Sequence, residues 1–325
     1  MPSGLHCPHA HQPRSAMTVR PARFAAAVSA VVLVLSSCSD TGERSSSDTT
    51  ADVVPHKIVF QTYRDGNGEI YSMNTDGTDL TNLTRHDSLD YHPSGSLDGH
   101  KVTFISGRDG NQEIYSMNED GSGPVRITDH PAADIDPSFS QDGTRIVFDS
   151  DREGNVEIYV AAAEGADPVN ISNHSATDSH PFWSPVDERI AFQSNRYHPA
   201  GDSMDIYVMY SDGSGVMRLT DHEADDRYPS WSPDGSRIAF SSDRAGVMNI
   251  YTLDADGSNV ERLTSTDTED LAPAWSPDGS LLTFVSRRDG NMEIYVIGAD
   301  GSGERNLTNH PASDSNPRWL PVNRL

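Results

Sequence analysis

Apolar runs beginning at Ile58, Val102, Ile146, Ile190, Ile238 and Leu282 are copies of one another, spaced by 44 residues except for one step of 48. A sustained period of this length constrains the fold more than any local motif, because each unit must bury its apolar face against the next. Every copy has the same anatomy. The first run (KIVFQT, KVTFIS, RIVFDS, RIAFQS, RIAFSS, LLTFVS) is followed by a loop carrying one arginine. A second run containing Ile-Tyr comes next, then a Gly-rich turn, a short third run, and a segment reading Asp-x-x-Pro that in three copies continues into Trp-Ser. Four short β-branched or aromatic runs punctuated by Asp-Gly predict four antiparallel strands joined by tight turns. No helical apolar period interrupts them after the N-terminus.

Four strands in each unit of 40–50 residues is the pattern of a propeller blade. The lines WSPDG at Trp231 and Trp275, with WSPVD at Trp183, resemble the WD40-like (PD40) repeats of the TolB-like six-bladed propellers. The resemblance runs from Lys57 to the end of the chain. It implies an all-β, six-bladed β-propeller of four-stranded antiparallel blades over 57–325. The phase of the repeat predicts how the ring closes. The array starts at a second strand (57–62) and stops after a first strand (316–320), so the terminal strand should pair into the first blade and remove two exposed edges. Trp183, Trp231, Trp275 and Trp319, with Phe139 in the same column, are expected as wedges between sheets. The matching position in the second blade is Gly95, which predicts a weak blade unless a neighbour fills the space.

The N-terminal segment is written differently. Arg20 and Arg23 precede the apolar stretch 24–35, which is too short to span a bilayer and suits a signal-peptide core. The following Leu-Ser-Ser-Cys resembles a bacterial lipobox, which implies lipidation of Cys38. Residues 1–37 are therefore expected to be a signal peptide, with Met17 as an alternative start, and 38–56 a flexible polar tether. The propeller region contains no cysteine, which excludes disulfides and thiol chemistry there. A formal net charge of −25 repels phosphate backbones, so nucleic acid is not an expected partner and the membrane is reached only through the lipid. The expected location is extracytoplasmic, periplasmic or at the cell surface, and the expected state a monomer.

Residues repeated in every blade read as scaffold. Arg64, Arg108, Arg152, Arg196, Arg244 and Arg288 follow the second strand; Asp90, Asp134, Asp178, Asp226, Asp270 and Asp314 stand three residues before each proline. Both columns fall on one face of the disk and predict a structural ring of ion pairs. His86, His130, His174, His222 and His310 occupy one loop position and predict a repeated hydrogen bond. The sequence from Asp149 to Gly154 imitates a calcium loop, but Val160 stands where the bidentate acid belongs, so no calcium site is expected there.

Function is expected where the copies differ. The residue before each proline is His92, Asp136, His180, Tyr228, Ala272 or Asn316, at the mouth of the channel. Two imidazoles and a carboxylate in this column, His92, Asp136 and His180, are a workable divalent-cation set. No other cofactor is expected. The one length change, in the fourth copy, offers Tyr197, His198 and Asp202 as partner contacts, together with Tyr228. The repeated Ser-Pro-Asp-Gly and Asp-Gly-Ser turns of the opposite face leave little room for specificity. No G-x-S-x-G, H-E-x-x-H or phosphate-binding glycine loop is present, and no catalytic residue is assigned. The leading expectation is a non-enzymatic, surface-tethered scaffold for a protein or peptide of the cell envelope. Two alternatives stand beside it. One is a cation-dependent enzyme at the channel mouth, as pectate-degrading lyases with similar repeats imply; the other is a small-ligand sensing domain.

Overall fold

In the computed structural model, residues 56–198 and 203–321 are described, and six four-stranded antiparallel sheets lie among them. Each sheet has a six- or seven-residue innermost strand, two six-residue middle strands and a two-residue outer strand. Keeping the outermost strand this short leaves little free edge for pairing with another chain. The first blade is made from both ends of the array. Asp314–Leu320 pairs with Lys57–Thr62 in the register Lys57↔Leu320, Ile58↔Trp319, Val59↔Arg318, Gln61↔Ser315 and Thr62↔Asp314. The proposed boundary at residue 37, Cys38 and all but the last residue of the proposed tether lie outside the described residues.

The core consists of six clusters, one at each junction between neighbouring blades. The indole column supplies four of the wedges. Trp183 packs on Val147, Ile158 and Ile171 of the third blade, and Trp319 carries the first blade onto Ala274, Ile294 and Leu307 of the sixth. Trp319 Nε1 also donates to the Ala274 carbonyl at 3.1 Å. At Gly95 the missing indole is replaced by the terminal strand. A Cβ on Gly95 would meet Leu320 Cδ1 at 2.9 Å, and Leu320 is fully buried among Val102, Phe104 and Met117. The neighbour fills the space.

Glycine is required in the Asp-Gly turns by two independent constraints. Gly165 has φ 85°, a left-handed conformation that costs other residues energy, and a Cβ there would lie 1.7 Å from the Ile127 carbonyl oxygen of the preceding blade. Gly77, Gly121, Gly213 and Gly257 approach the preceding blade in the same way. The turn thus fixes how closely adjacent sheets can stack.

The Arg and Asp columns meet in all six blades. Arg Nη2 lies 2.5–3.1 Å from the Asp carboxylate in Arg64–Asp314, Arg108–Asp90, Arg152–Asp134, Arg196–Asp178, Arg244–Asp226 and Arg288–Asp270. Each pair joins the innermost strand to the loop after the second strand of the same blade. The arrangement is six intrablade clips rather than a continuous circle. One nitrogen spans the carboxylate in most copies, while Nε donates to the Ser or Thr hydroxyl two residues earlier. The guanidinium also lies over the Phe and Tyr rings of its blade, as in Arg108 over Tyr115 at 4.6 Å. The repeated histidines accept, through Nδ1, the amide two residues on, for example His130 from Ala132 at 3.1 Å.

Candidate binding funnel at the propeller axis

Every innermost strand contains a β-bulge at its pre-proline residue. His92, Asp136, His180, Tyr228, Ala272 and Asn316 all have φ between 48° and 58°. A residue before proline normally stays extended, so the left-handed turn is imposed by the blade. Bulges re-aim side chains, and here the pre-proline residues line a small space at the axis. Several bulges are held from the preceding blade. The Tyr228 amide donates to Gln193 Oε1 at 2.9 Å, the Ala272 amide to Ser241 Oγ at 3.2 Å, and the His180 amide to Asp149 Oδ2 at 3.3 Å.

Four of the sequence candidates come together. His92 Nδ1 contacts Asp136 Oδ1, His180 Nε2 lies 3.3 Å from Asp136 Oδ2, and the Tyr228 ring stands edge-on to His180 with centroids 4.8 Å apart. Burial alone would raise the Asp136 carboxyl, but the neighbouring charges of His180 and His92 outweigh it and hold the group well below the usual carboxylate range. Burial lowers the His180 imidazole against the opposing pull of Asp136.

Three further residues complete the site; two escaped the sequence reading, and Asp149 entered it only through the rejected calcium-loop pattern. Arg318, on the terminal strand, projects to the axis and lies over Phe182 of the fourth blade at 5.4 Å. The first and fourth blades are opposite in the ring, so this contact closes the channel from side to side. Burial lowers the Arg318 guanidinium to about 10, with Asp136 opposing. The post-proline column holds Ser94, Ser138, Ser230 and Ala274 beside these two, and their departure in size was the available signal. Asp149 stands not in a loop but buried behind His180, its carboxyl pushed well up by burial and by the Asp136 charge.

Above this floor opens a funnel of ≈ 670 Å³ on the arginine–aspartate face. Its wall is apolar on the sixth, first and second blades, where Tyr63, Leu89, Tyr91, Leu271, Val285 and Met292 line it. Leu89 and Tyr63 are exposed at 50% and 43%. Below the plug, the opposite face is less featureless than its turns imply. A vestibule of ≈ 100 Å³ is lined there by tryptophans and prolines together with Leu97.

The inserted loop lies elsewhere. Tyr197 stacks on Arg218, on the outermost strand of the fourth blade, at 3.8 Å, and His198 Nε2 sits 3.4 Å from the buried Asp205. In sister blades the longer Glu69, Glu113, Glu157 or Glu293 occupies the place of Asp205. His198 therefore occupies space that a shortened acid leaves, while Tyr197 remains exposed at the blade's outer rim. Asp202 lies outside the described residues. Tyr197 and His198 do not join Tyr228 in the funnel.

A closed ring of six blades, plugged at the axis and open as a wide funnel on the arginine–aspartate face, defines a β-propeller whose larger axial recess lies on that face. The chain belongs to the PD40 family, the TolB beta propeller domain, whose model matches residues 98–200 and 171–271. Its fold is similar to that of TolB from Acinetobacter baumannii, at 23% identity and a TM-score of 0.74 over 82% of this chain and 67% of that one. A putative TolB from Agrobacterium tumefaciens matches with 23% identity and a TM-score of 0.65, over 82% of this chain and 99% of that one. An oligogalacturonate lyase in complex with manganese matches at 18% identity and a TM-score of 0.58, over 78% and 74% of the two chains. No curated protein matches by sequence.

Proposed function

We propose that this chain is a non-enzymatic scaffold, tethered outside the cytoplasm through Cys38, that captures a protein or peptide segment in the axial funnel. The observation that carries this reading is the wall of the funnel. Six apolar side chains, two of them largely exposed, converge around a floor holding a buried carboxylate, on a surface otherwise rich in acid. An aromatic or aliphatic side chain beside a basic one matches both halves, and apolar anchors in a preformed recess are where binding energy concentrates. The likeness to TolB structures is consistent with a protein-binding role. The rigid blades leave the mouth preorganised, which lowers the ordering cost of association.

The lyase alternative draws on His92, Asp136 and His180 at the axis. The funnel wall above that floor carries no lysine or arginine, and its apolar lining favours the scaffold.

Fractionation tests the anchor and the mouth together. The wild-type protein should partition with membranes and carry a partner through solubilisation. Cys38→Ser should move to the soluble fraction with its propeller folded, and Leu89→Glu should stay in the membrane but lose the partner. Membrane partitioning unchanged by Cys38→Ser would sink the anchor, and full partner retention by Leu89→Glu would sink the funnel.

A further inference from the structure

We propose that His92, Asp136 and His180 are the protein ligands of a divalent transition-metal site at the floor of the funnel, one that selects metals favouring imidazole over calcium and magnesium. The three residues come from consecutive blades at one column, and one ligand atom of each lies within 4.8 Å of the others. Ligands about 2.0–2.2 Å from a tetrahedral ion stand roughly 3.3–3.5 Å apart. The His180 Nε2 to Asp136 Oδ2 separation is already 3.3 Å.

Two further observations point to a guest. Asp136 is 9% exposed, and its Oδ2 accepts no hydrogen bond, having only His180 Nε2 beside it at 3.3 Å. A carboxylate oxygen buried this deeply without a hydrogen bond keeps part of its desolvation cost, which a bound cation would offset. The three ligands also border a cavity of ≈ 30 Å³ walled by Pro93, Pro137, Pro181 and Pro229. That is room for one ion or one water. The proline walls and the left-handed bulges fix the backbone behind each ligand, and closing on a metal requires side-chain movement, above all the opening of the His92–Asp136 contact.

Two neutral imidazoles with one carboxylate suit zinc, cobalt, nickel or manganese, whereas calcium and magnesium prefer oxygen sets. Three protein ligands leave a fourth position. His92, Tyr228 and Asn316 line both the small cavity and the funnel, so that position communicates with the mouth and is open to water or a donor atom from a bound segment. Arg318 shares the floor and adds a like charge, which weakens the site relative to a closed structural one. The inference stands without the scaffold reading, since it concerns ligand geometry alone.

Calorimetry and metal analysis of the untagged, metal-stripped protein with Zn²⁺, and the absorption spectrum with Co²⁺, decide the matter. One equivalent should bind, with the intense visible bands of four-coordinate cobalt, and excess Ca²⁺ should not displace it. Second-shell changes alone commonly cost about 10–100-fold. His180→Ala or His92→Gln should therefore weaken binding by about 100-fold or more, with melting and far-ultraviolet dichroism showing that the blades persist. Arg318→Met should tighten binding by about tenfold. If one histidine variant fails to fold, the other carries the comparison. Undiminished stoichiometry and affinity in His92→Gln would assign binding to the surface histidines and overturn the proposal. So would the absence of binding by the wild-type protein at millimolar Zn²⁺, which would leave the triad as a hydrogen-bonded network only.

Discussion

Deleting 316–325 is expected to leave a protein that does not fold cooperatively. The loss is larger than a frayed strand. Trp319 leaves the junction of the first and sixth blades, and Leu320 leaves the junction of the first and second, where its side chain fills the space at Gly95. Truncating a buried tryptophan or leucine to alanine costs about 3–5 and 2–5 kcal/mol respectively. Their sum reaches the entire stability of an ordinary domain, about 5–15 kcal/mol, before the lost ladder with Lys57–Thr62 is counted. The exposed strand becomes a free edge for intermolecular pairing. Chromatography should show aggregate and calorimetry no cooperative peak. A truncated protein that melts within a degree or two of the parent would mean the ring is not held by its terminal strand.

Asp178→Ala is expected to lower stability by about 3–5 kcal/mol, because it strands the Arg196 guanidinium in a site built for a pair. Asp178 has no exposed surface, and Arg196 Nη2 approaches it to 2.5 Å while lying over Phe192 and Tyr207. Burial raises the Asp178 carboxyl and the attraction of Arg196 opposes it, so the pair holds a costly charge rather than a free one. In a domain of this size, at about 2 °C per kcal/mol, the change corresponds to a drop in Tm of roughly 6–10 °C. Replacing both partners with apolar residues, Asp178→Leu with Arg196→Met, should cost less than the single change. Glu261→Gln removes an exposed partner of Arg237 and should shift Tm by no more than a degree or two. Equal melting temperatures for Asp178→Ala and Glu261→Gln would show that the clips contribute no more than surface pairs.

The blades, their number and the terminal closure were legible in the sequence because each is set by a periodic feature. Strand runs, Asp-Gly turns and the indole column recur at fixed offsets, and the starting phase of the array fixes which strand must be completed from the other end. The funnel was legible only by residue. His92, Asp136, His180 and Tyr228 could be picked as the column where copies disagree, but the bulge that gathers them could not. An X-Pro step reads as extended, and a left-handed turn there is stabilised by side chains of the preceding blade such as Gln193 and Asp149. The Arg318–Phe182 plug joins residues 136 positions apart across the axis, a distance no local pattern encodes. The place of the inserted loop was illegible for a related reason. A length change marks a place where the repeat is free to vary, and here the variation fills the gap at Asp205, with His198 beside its carboxylate.

The proposed scaffold places recognition at the mouth with the apolar wall, above the buried carboxylate and the plug at the axis. A photo-crosslinking residue placed singly at Leu89 in the funnel and at Leu97 in the opposite vestibule, in intact cells, tests this most directly. Both positions are similarly exposed, at 50% and 45%, so accessibility alone does not separate them. The account predicts a discrete adduct of one partner from Leu89, abolished by Tyr228→Ala, and none from Leu97. A discrete adduct from Leu97 with none from Leu89 would contradict it and place recognition on the tryptophan-lined face.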